Sequence, residues 1–375
     1  MSPRLHATTF HPARTDATLE ALRGALSGVD TILPLPPGDP QGLARLLRAG
    51  EDIDPEIAVV VPTSGSTGTP KGALLTPENL ISSADATHQR LGGEGQWLLA
   101  LPPHHIAGIQ VLTRSLVAGT EPVVLDVSGG FSVRAFATAA TAAAEAATAS
   151  GTALYTALVP MQLAKAMDTL EGIRALRLFE AILIGGGPLD KDVRASAEKL
   201  GIRVVATYGS SETSGGCVYD GLPLPGARVR ITGGRVYLGG PMVAAGYRNP
   251  ITPNPFAEGW YATSDAGRIT DGRLEITGRI DAIINSGGMK IQPEVVEATL
   301  RTLPGVRDAC AVGLPDARLG QMLAAAYTGP ARAAEVLAAL DEQPAYLIPK
   351  RLLRLDELPT TGPGKVDRAA VARLF

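Results

Sequence analysis

Five short apolar runs, at 57–61, 97–101, 153–159, 179–184 and 202–207, set the rhythm of the chain up to about residue 207. Each has the length and aliphatic content of a buried strand, and each stops at a small or polar loop. Stretches at 78–91, 109–118, 135–149, 161–170 and 189–200 read as helices between them. Strands alternating with helices predict an α/β fold with a mostly parallel sheet covered on both faces. Ligands in such sheets bind beyond the carboxyl ends of the strands, so the polar loops are expected to converge on one site. The pattern changes after about residue 217. Short runs at 228–231, 235–238 and 274–277, separated by Gly233-Gly234 and Gly272-Arg273, predict a small antiparallel barrel or sheet. From 281 the chain reads as a compact mix of short strands and two helices, near 294–302 and 331–340. The expected organisation is a large N-terminal domain, 1–280, of parallel α/β sheet layers plus a small β-barrel-like part, and a small C-terminal α+β domain, 281–375. No internal repeat interrupts it.

Composition narrows the function classes. A chain of 375 residues can hold two or three domains and a large core. A net charge of −3, with the 34 basic residues scattered, gives no nucleic-acid footprint. Cys217 and Cys310 cannot make a disulfide framework, which fits a reducing, cytoplasmic setting. No long apolar run follows Met1, so no signal peptide is expected, and no stretch reaches the roughly 18 apolar residues of a membrane span. Only 7 of the 34 basic residues are Lys, so a Lys in a Gly-rich loop draws attention. The segment 135–149, almost all Ala and Thr, reads as a helix packed closely on a neighbour.

The first strand opens into Thr63-Ser64-Gly65-Ser66-Thr67-Gly68-Thr69-Pro70-Lys71-Gly72. Glycines let the backbone N–H groups approach a ligand, hydroxyls add donors, and Lys71 adds charge; together these are the parts of a phosphate cradle. It is not a Walker A loop, which places Lys directly before Ser or Thr. A flexible surface loop is the bland alternative, but ten such residues after a strand point to phosphate. Tyr208-Gly209-Ser210-Ser211-Glu212 also follows a strand. Its carboxylate could hold Mg²⁺ through oxygen and its ring could stack on a base; on its own it is equally a capped turn. Gly185-Gly186-Gly187-Pro188 is a tight strand-to-helix turn.

These segments resemble, in order, motifs of the adenylate-forming enzymes: acyl-CoA synthetases, peptide-synthetase adenylation domains and luciferases. The decapeptide resembles their phosphate loop, and Gly185-Gly186-Gly187-Pro188 the turn beside the adenine. Tyr208 to Glu212 resembles Tyr-Gly-x-Thr-Glu, with Ser211 for Thr. Trp260-Tyr261-Ala262-Thr263-Ser264-Asp265-Ala266-Gly267 resembles Trp-Phe/Tyr-x-Thr-Gly-Asp-x-Gly, with Ser264 for Gly; the resemblance makes Asp265 the ribose ligand. Gly278-Arg279-Ile280-Asp281 resembles Gly-Arg-x-Asp, implying that Arg279 contacts ribose or phosphate and that Asp281 is the hinge of a mobile small domain. Ser286-Gly287-Gly288-Met289-Lys290-Ile291 resembles the loop lining the pantetheine tunnel. Leu358-Pro359-Thr360-Thr361-Gly362-Pro363-Gly364-Lys365-Val366-Asp367-Arg368 resembles the small-domain motif whose Lys bridges carboxylate and α-phosphate, which makes Lys365 catalytic. His105 matches a residue that gates or contacts the acyl group. The implied cofactors are ATP, Mg²⁺ held by Glu212, and CoA as co-substrate. The implied partners are small molecules only, with a homodimer an open option.

Within that family, Thr156-Ala157-Leu158-Val159-Pro160-Met161-Gln162-Leu163 and Pro102-Pro103-His104-His105-Ile106-Ala107-Gly108 are similar to segments of the 2-succinylbenzoate–CoA ligases of menaquinone biosynthesis. The phosphate loop begins about sixty residues in, as in the short actinobacterial forms. The expected reaction is carboxylate attack on ATP to give acyl-adenylate and pyrophosphate, then CoA attack to give thioester and AMP. The aryl carboxylate that does not react then needs a polar anchor, with Thr156, Gln162, Ser210 and ordered water as candidates. Alternatives are another aryl- or acyl-CoA ligase, an adenylating enzyme that loads a carrier protein, and a non-catalytic nucleotide-binding protein.

Overall fold

The structure, a computed structural model, describes residues 3–63, 70–361 and 365–375, with only the backbone of Ala13, Thr361 and Lys365. The chain divides into two compact units. The first comprises Met1–Arg230, Tyr237–Thr263 and Asp271–Leu274; the second comprises Ile231–Val236, Ser264–Thr270 and Glu275–Phe375. The boundary expected at 280/281 falls inside the last of these runs.

The first unit holds two sheets. One contains β1 (Leu5–Thr9), β2 (Thr31–Leu35), β3 (Val59–Val61) and β4 (Ala73–Leu75), with the short strand Gly246–Tyr247 beside β4. β1 and β2 are parallel, β2 and β3 are parallel, and β4 returns antiparallel to β3. The other sheet has seven strands. They are β5 (Gly95–Leu99), β6 (Val123–Val124), β7 (Ala153–Leu158), β8 (Ala181–Ile184), β9 (Val204–Ser210), β10 (Gly215–Tyr219) and β11 (Leu222–Pro223), in the order β11-β10-β9-β8-β7-β5-β6. From β9 to β6 all neighbours are parallel. Four of the five expected strands thus share one sheet. The fifth, β3, belongs to the other, because residues before 57 supply partner strands, β1 and β2, that the apolar pattern did not reveal. No closed barrel is found among the described residues; between 217 and 280 they hold antiparallel pairing such as Phe256–Ala257 against Trp260 and Tyr261.

Local sequence explains the helices that carry the site. Among the helices of this unit are α1 (Thr15–Leu26), α2 (Pro77–Leu91), α3 (Ile106–Val117) and α4 (Val133–Ser150). Thr76 caps α2: its Oγ1 accepts from Asn79 N at 3.1 Å, and Asn79 Oδ1 accepts from Thr76 N at 2.9 Å, with Pro77 at the first helical position. The Ala-rich α4 buries Phe136, Ala140, Ala143 and Ala147, a stripe of helical period, against the seven-stranded sheet. Its small residues allow the close packing expected of it. Trp97, fully buried on β5 and 5.2 Å from the Tyr155 ring, anchors the core between the sheets.

In the second unit, Ile284–Ser286, Met289–Ile291, Asp308–Asp316, Gly320–Thr328 and Arg351–Leu355 form a sheet, with helices Pro293–Arg301, Ala333–Ala338 and Arg368–Ala372. This is the α+β composition expected for the C-terminal part. No helix among the described residues is long and apolar enough to cross a membrane.

Candidate active site

The polar loops open at one edge of the seven-stranded sheet. β5 runs into Pro102-Pro103-His104-His105, β7 into Val159 and Pro160, β8 into Gly185-Gly186-Gly187, and β9 into Ser211 and Glu212. These four strands are parallel and consecutive, so their carboxyl ends are neighbours, as the fold class requires. Two glycines make the edge possible. Gly186 has φ +79°, a left-handed conformation, and a Cβ on Gly209 would lie 2.1 Å from the Gly215 carbonyl oxygen, so the β9–β10 turn excludes any side chain there.

Three buried polar atoms at strand ends lack a hydrogen-bond partner among the described residues. They are Thr63 Oγ1 after β3, His104 Nδ1 after β5 and Ser210 Oγ at the end of β9. A buried unsatisfied polar atom costs about 1–3 kcal/mol, so each is a group that a polar ligand would satisfy. The Thr63 and Ser210 hydroxyls are donors of the kind that phosphate oxygens accept from. Ser64, Gly65, Ser66, Thr67 and Gly68 of the phosphate loop lie outside the described residues.

Glu212 is buried in a one-turn helix, Ser211–Thr213, after β9. Its Oε1 accepts from the Tyr247 hydroxyl at 2.6 Å, a charge-assisted distance. Burial first, then the Glu212 charge and Tyr261, push the Tyr247 pKa upward, so the phenol stays a donor. Lys71 Nζ sits 5.1 Å from the Tyr247 ring centroid, within cation–π range. The phosphate-loop Lys and the buried carboxylate therefore share one tyrosine. A single carboxylate with solvent and phosphate oxygens fits Mg²⁺, which keeps several non-protein ligands. Tyr208 lies two residues before Ser210, half-buried.

His105 caps the N-terminus of α3 through an extended backbone, and its ring centroid lies 4.3 Å from that of His104. Burial, then the neighbouring imidazole, lowers the His104 pKa to about 4; burial lowers that of His105. Both rings are neutral at pH 7 and suit contact with an acyl group rather than with phosphate. Thr156 and Gln162 are held by the scaffold. The fully buried Thr156 hydroxyl, one of the candidate anchors, donates to Leu98 O at 2.8 Å, so its one donor is spent inside the sheet. Gln162 is held at both ends of its amide, accepting from Val159 N and donating to Ala100 O, each at 2.9 Å. Ser210 keeps its hydroxyl unspent.

One functional candidate escaped the sequence reading. Arg114 on α3 is 3% exposed and has no carboxylate in ion-pair range among the described residues. Its guanidinium lies 5.0 Å from the Trp97 ring, donates weakly to Tyr219 Oη at 3.4 Å, and leaves Nε without a partner. Ile106, Gln110 and Arg114 lie one turn apart on one helix face. A Cβ on Gly215, at the start of β10, would lie 3.5 Å from Gln110 Cγ and 3.9 Å from Ile106 Cγ1, so this face runs from the His105 cap past the β9–β10 turn. The signal in the sequence was a single Arg in an otherwise apolar helix with no acid to pair it.

His88, 4% exposed with both ring nitrogens unpartnered, is lowered to about 4, first by burial and then by Arg114. A histidine with a depressed native pKa binds its proton later than in the unfolded chain. It favours folding above about pH 6.5, and that contribution is lost as pH falls toward 4. The expected result for His88→Leu is an acid-side stability slope smaller by about one proton between these limits, read from urea unfolding at stepped pH. An unchanged slope would remove His88 as the titrating group.

The second unit carries Asp265, Arg279 and Asp281. Arg279 Nε donates to Asp281 Oδ1 at 2.8 Å, its Nη2 also pairs with Asp281 Oδ2, and its Nη1 lies 3.7 Å from Asp265 Oδ1. Burial alone would raise the Asp281 pKa; the bond and charge of Arg279, with Ser264, hold it below the usual carboxylate value. One guanidinium thus bridges the expected ribose ligand and the expected hinge. Gly287 and Gly288 (φ +57° and +84°) form the two-residue turn between Ile284–Ser286 and Met289–Ile291, and both are exposed. Lys365 pairs with Thr361 in a short antiparallel ladder.

This fold, with hydroxyls and a Lys after one strand and a tyrosine-held carboxylate after another, defines an AMP-binding enzyme. Residues 30–248 match the AMP-binding enzyme family and 295–365 its C-terminal domain, and the chain belongs to that family. A probable 2-succinylbenzoate–CoA ligase of Mycobacterium tuberculosis is 48% identical over 375 residues, covering 96% of each chain. A 2-succinylbenzoate–CoA ligase of Salmonella typhimurium is 32% identical, covering 82% of this chain and 67% of its own. A variant of Escherichia coli MenE with bound OSB-AMS superposes with a TM-score of 0.78 at 26% identity, covering 100% of this chain and 88% of that one. ATP-bound MatB from Rhodopseudomonas palustris has the same fold, with a TM-score of 0.82 at 21% identity, covering 100% and 89%.

Proposed function

We propose that the chain is an AMP-forming acid–thiol ligase that activates 2-succinylbenzoate with ATP and passes the acyl group to CoA, a step of menaquinone biosynthesis. A carboxylate is a poor acyl donor because oxide is a poor leaving group. Attack of its oxygen on the α-phosphorus forms a P–O bond and expels pyrophosphate. The CoA thiolate then attacks the carbonyl, forming the C–S bond as AMP leaves. Most of the rate comes from positioning and from neutralising phosphate charge. Thr63, Ser64, Gly65, Ser66, Thr67, Gly68 and Lys71 hold the phosphates. Gly185, Gly186, Gly187, Tyr208, Gly209 and Ser211 frame the adenosine, Asp265 binds the ribose, and Arg279 orients it. Mg²⁺, when bound, adds charge neutralisation across the phosphates, and Glu212 is the residue that would hold it. Lys365 acts on the α-phosphate, Asp281 is the hinge of the small domain, and Gly287 and Gly288 line the pantetheine path. His105 contacts the acyl group.

The observation that carries the choice of acid is Arg114, buried with no carboxylate in ion-pair range among the described residues. Its counter-ion in this reading is the aryl carboxylate, with the Ser210 hydroxyl a further donor. A buried guanidinium and a buried carboxylate are each costly alone and compensate each other when paired. The test is pyrophosphate release against a panel of carboxylic acids, with and without CoA. The expected result is preference for 2-succinylbenzoate and a loss of kcat/KM of at least about 10³ for the analogue lacking the aryl carboxylate, by the logic of unpaired polar groups. Equal turnover of benzoate would leave only a generic acid–CoA ligase.

A further inference from the structure

We infer that Tyr247 is a positioning residue that couples the metal-holding carboxylate to the phosphate loop, an inference that rests on the adenylate-forming reading. Tyr247 belongs to the two-residue strand Gly246–Tyr247, whose partner is β4, the strand that leaves the phosphate loop; Tyr247 pairs with Ala73. The residues that follow clamp the loop exit. Arg248 N donates to Gly72 O at 2.8 Å, Asn249 N to Lys71 O at 2.9 Å, and Asn249 Nδ2 to Pro70 O at 2.8 Å. The residues before it hold the carboxylate turn: Ala244 N donates to Glu212 O at 2.9 Å, and Ser214 Oγ donates to Met242 O at 3.0 Å. The segment 242–249 therefore touches the backbone of both functional loops, and Tyr247 alone in it touches both functional side chains.

The geometry assigns the hydroxyl and the ring separate tasks. The hydroxyl occupies Glu212 Oε1 and so restrains the carboxylate that would hold the cation. The ring lies beneath Lys71 Nζ and limits where that ammonium can go. The ring is itself held, edge-on against Phe256 at 5.0 Å, so removing the hydroxyl need not move it. Two substitutions then separate the tasks. Tyr247→Phe removes the hydroxyl and keeps the platform; Tyr247→Leu removes both.

The experiment is calorimetric titration of ATP into the full chain over a series of Mg²⁺ concentrations and in EDTA, with no acid or CoA present. For Tyr247→Phe the Mg²⁺ concentration at half-maximal enhancement of ATP binding is expected to rise about tenfold, with ATP affinity in EDTA unchanged. For Tyr247→Leu, affinity in EDTA is expected to fall as well, about threefold, because Lys71 loses its platform. A Mg²⁺ midpoint of Tyr247→Phe within twofold of wild type overturns the inference, as does an equal loss with and without the metal, which is the signature of a merely structural tyrosine. If the wild-type chain itself shows no Mg²⁺-dependent ATP binding, the underlying reading fails instead, so the two failures are distinguishable.

Discussion

Arg114→Met is expected to make the unliganded protein more stable and the enzyme much worse. In the free protein the guanidinium is buried beside Trp97 with no carboxylate partner among the described residues, and its Nε makes no hydrogen bond. An uncompensated buried charge destabilises a fold, and replacing it with an apolar side chain of similar length commonly recovers stability. The cation–π contact with Trp97 and the long bond to Tyr219 offset only part of this. A rise in Tm of a few degrees is therefore expected without substrate. Function should move the other way. If the aryl carboxylate of 2-succinylbenzoate is the missing counter-ion, the Met variant buries that carboxylate unpaired, and kcat/KM should fall about 10³-fold. The analogue lacking the aryl carboxylate should lose less than tenfold between wild type and variant, because it never used Arg114. A variant that melts lower, or that loses both substrates equally, would return Arg114 to a packing role.

What the sequence disclosed and what it withheld divide along the range of the interactions involved. The ends of β5, β7, β8 and β9 were legible because a strand followed by a small or polar loop is a local pattern, and a parallel sheet then places consecutive carboxyl ends together. The sheet to which β3 belongs was not legible. It depends on pairing with Ile32, 27 residues earlier, in a strand whose Pro34 breaks the usual signal. Thr156 and Gln162 show a different limit. Polar residues in a segment resembling a substrate loop invite a binding role, yet the Leu98 and Ala100 carbonyls use them within the scaffold. Arg114 was passed over because an Arg at mid-helix ordinarily reaches solvent along its apolar stem; only the fold reveals a head group enclosed with no acid nearby. Tyr247 was silent for the same reason: its hydroxyl acquires meaning from Glu212, 35 residues away in sequence and 2.6 Å away in space.

Lys365→Ala is expected to abolish adenylation while sparing thioester formation. Lys365 pairs with Thr361 in a short ladder and stands two residues before Asp367, whose Oδ1 caps the helix Arg368–Ala372 by accepting from Ala370 N at 2.9 Å. Arg368 in turn pairs with Glu294 and with the buried Glu297, and donates to the Ala311 carbonyl at 3.0 Å. The backbone is thus tied down two residues to the C-terminal side of Lys365. In this reading the lysine supplies a preorganised charge at the α-phosphate. Charge on that phosphate grows only in the first half-reaction, as the carboxylate oxygen attacks and pyrophosphate departs. In the second, AMP leaves from carbon and the phosphate charge changes little. Removing one such charge should lower the ATP-dependent rate at least about 10³-fold. The same variant, given pre-formed acyl-adenylate and CoA, should make thioester within a few-fold of wild type. Measuring both in single-turnover experiments decides the matter: if the variant fails on supplied adenylate as badly as on ATP, Lys365 acts throughout the cycle or only on structure, and its assignment to the first step is wrong.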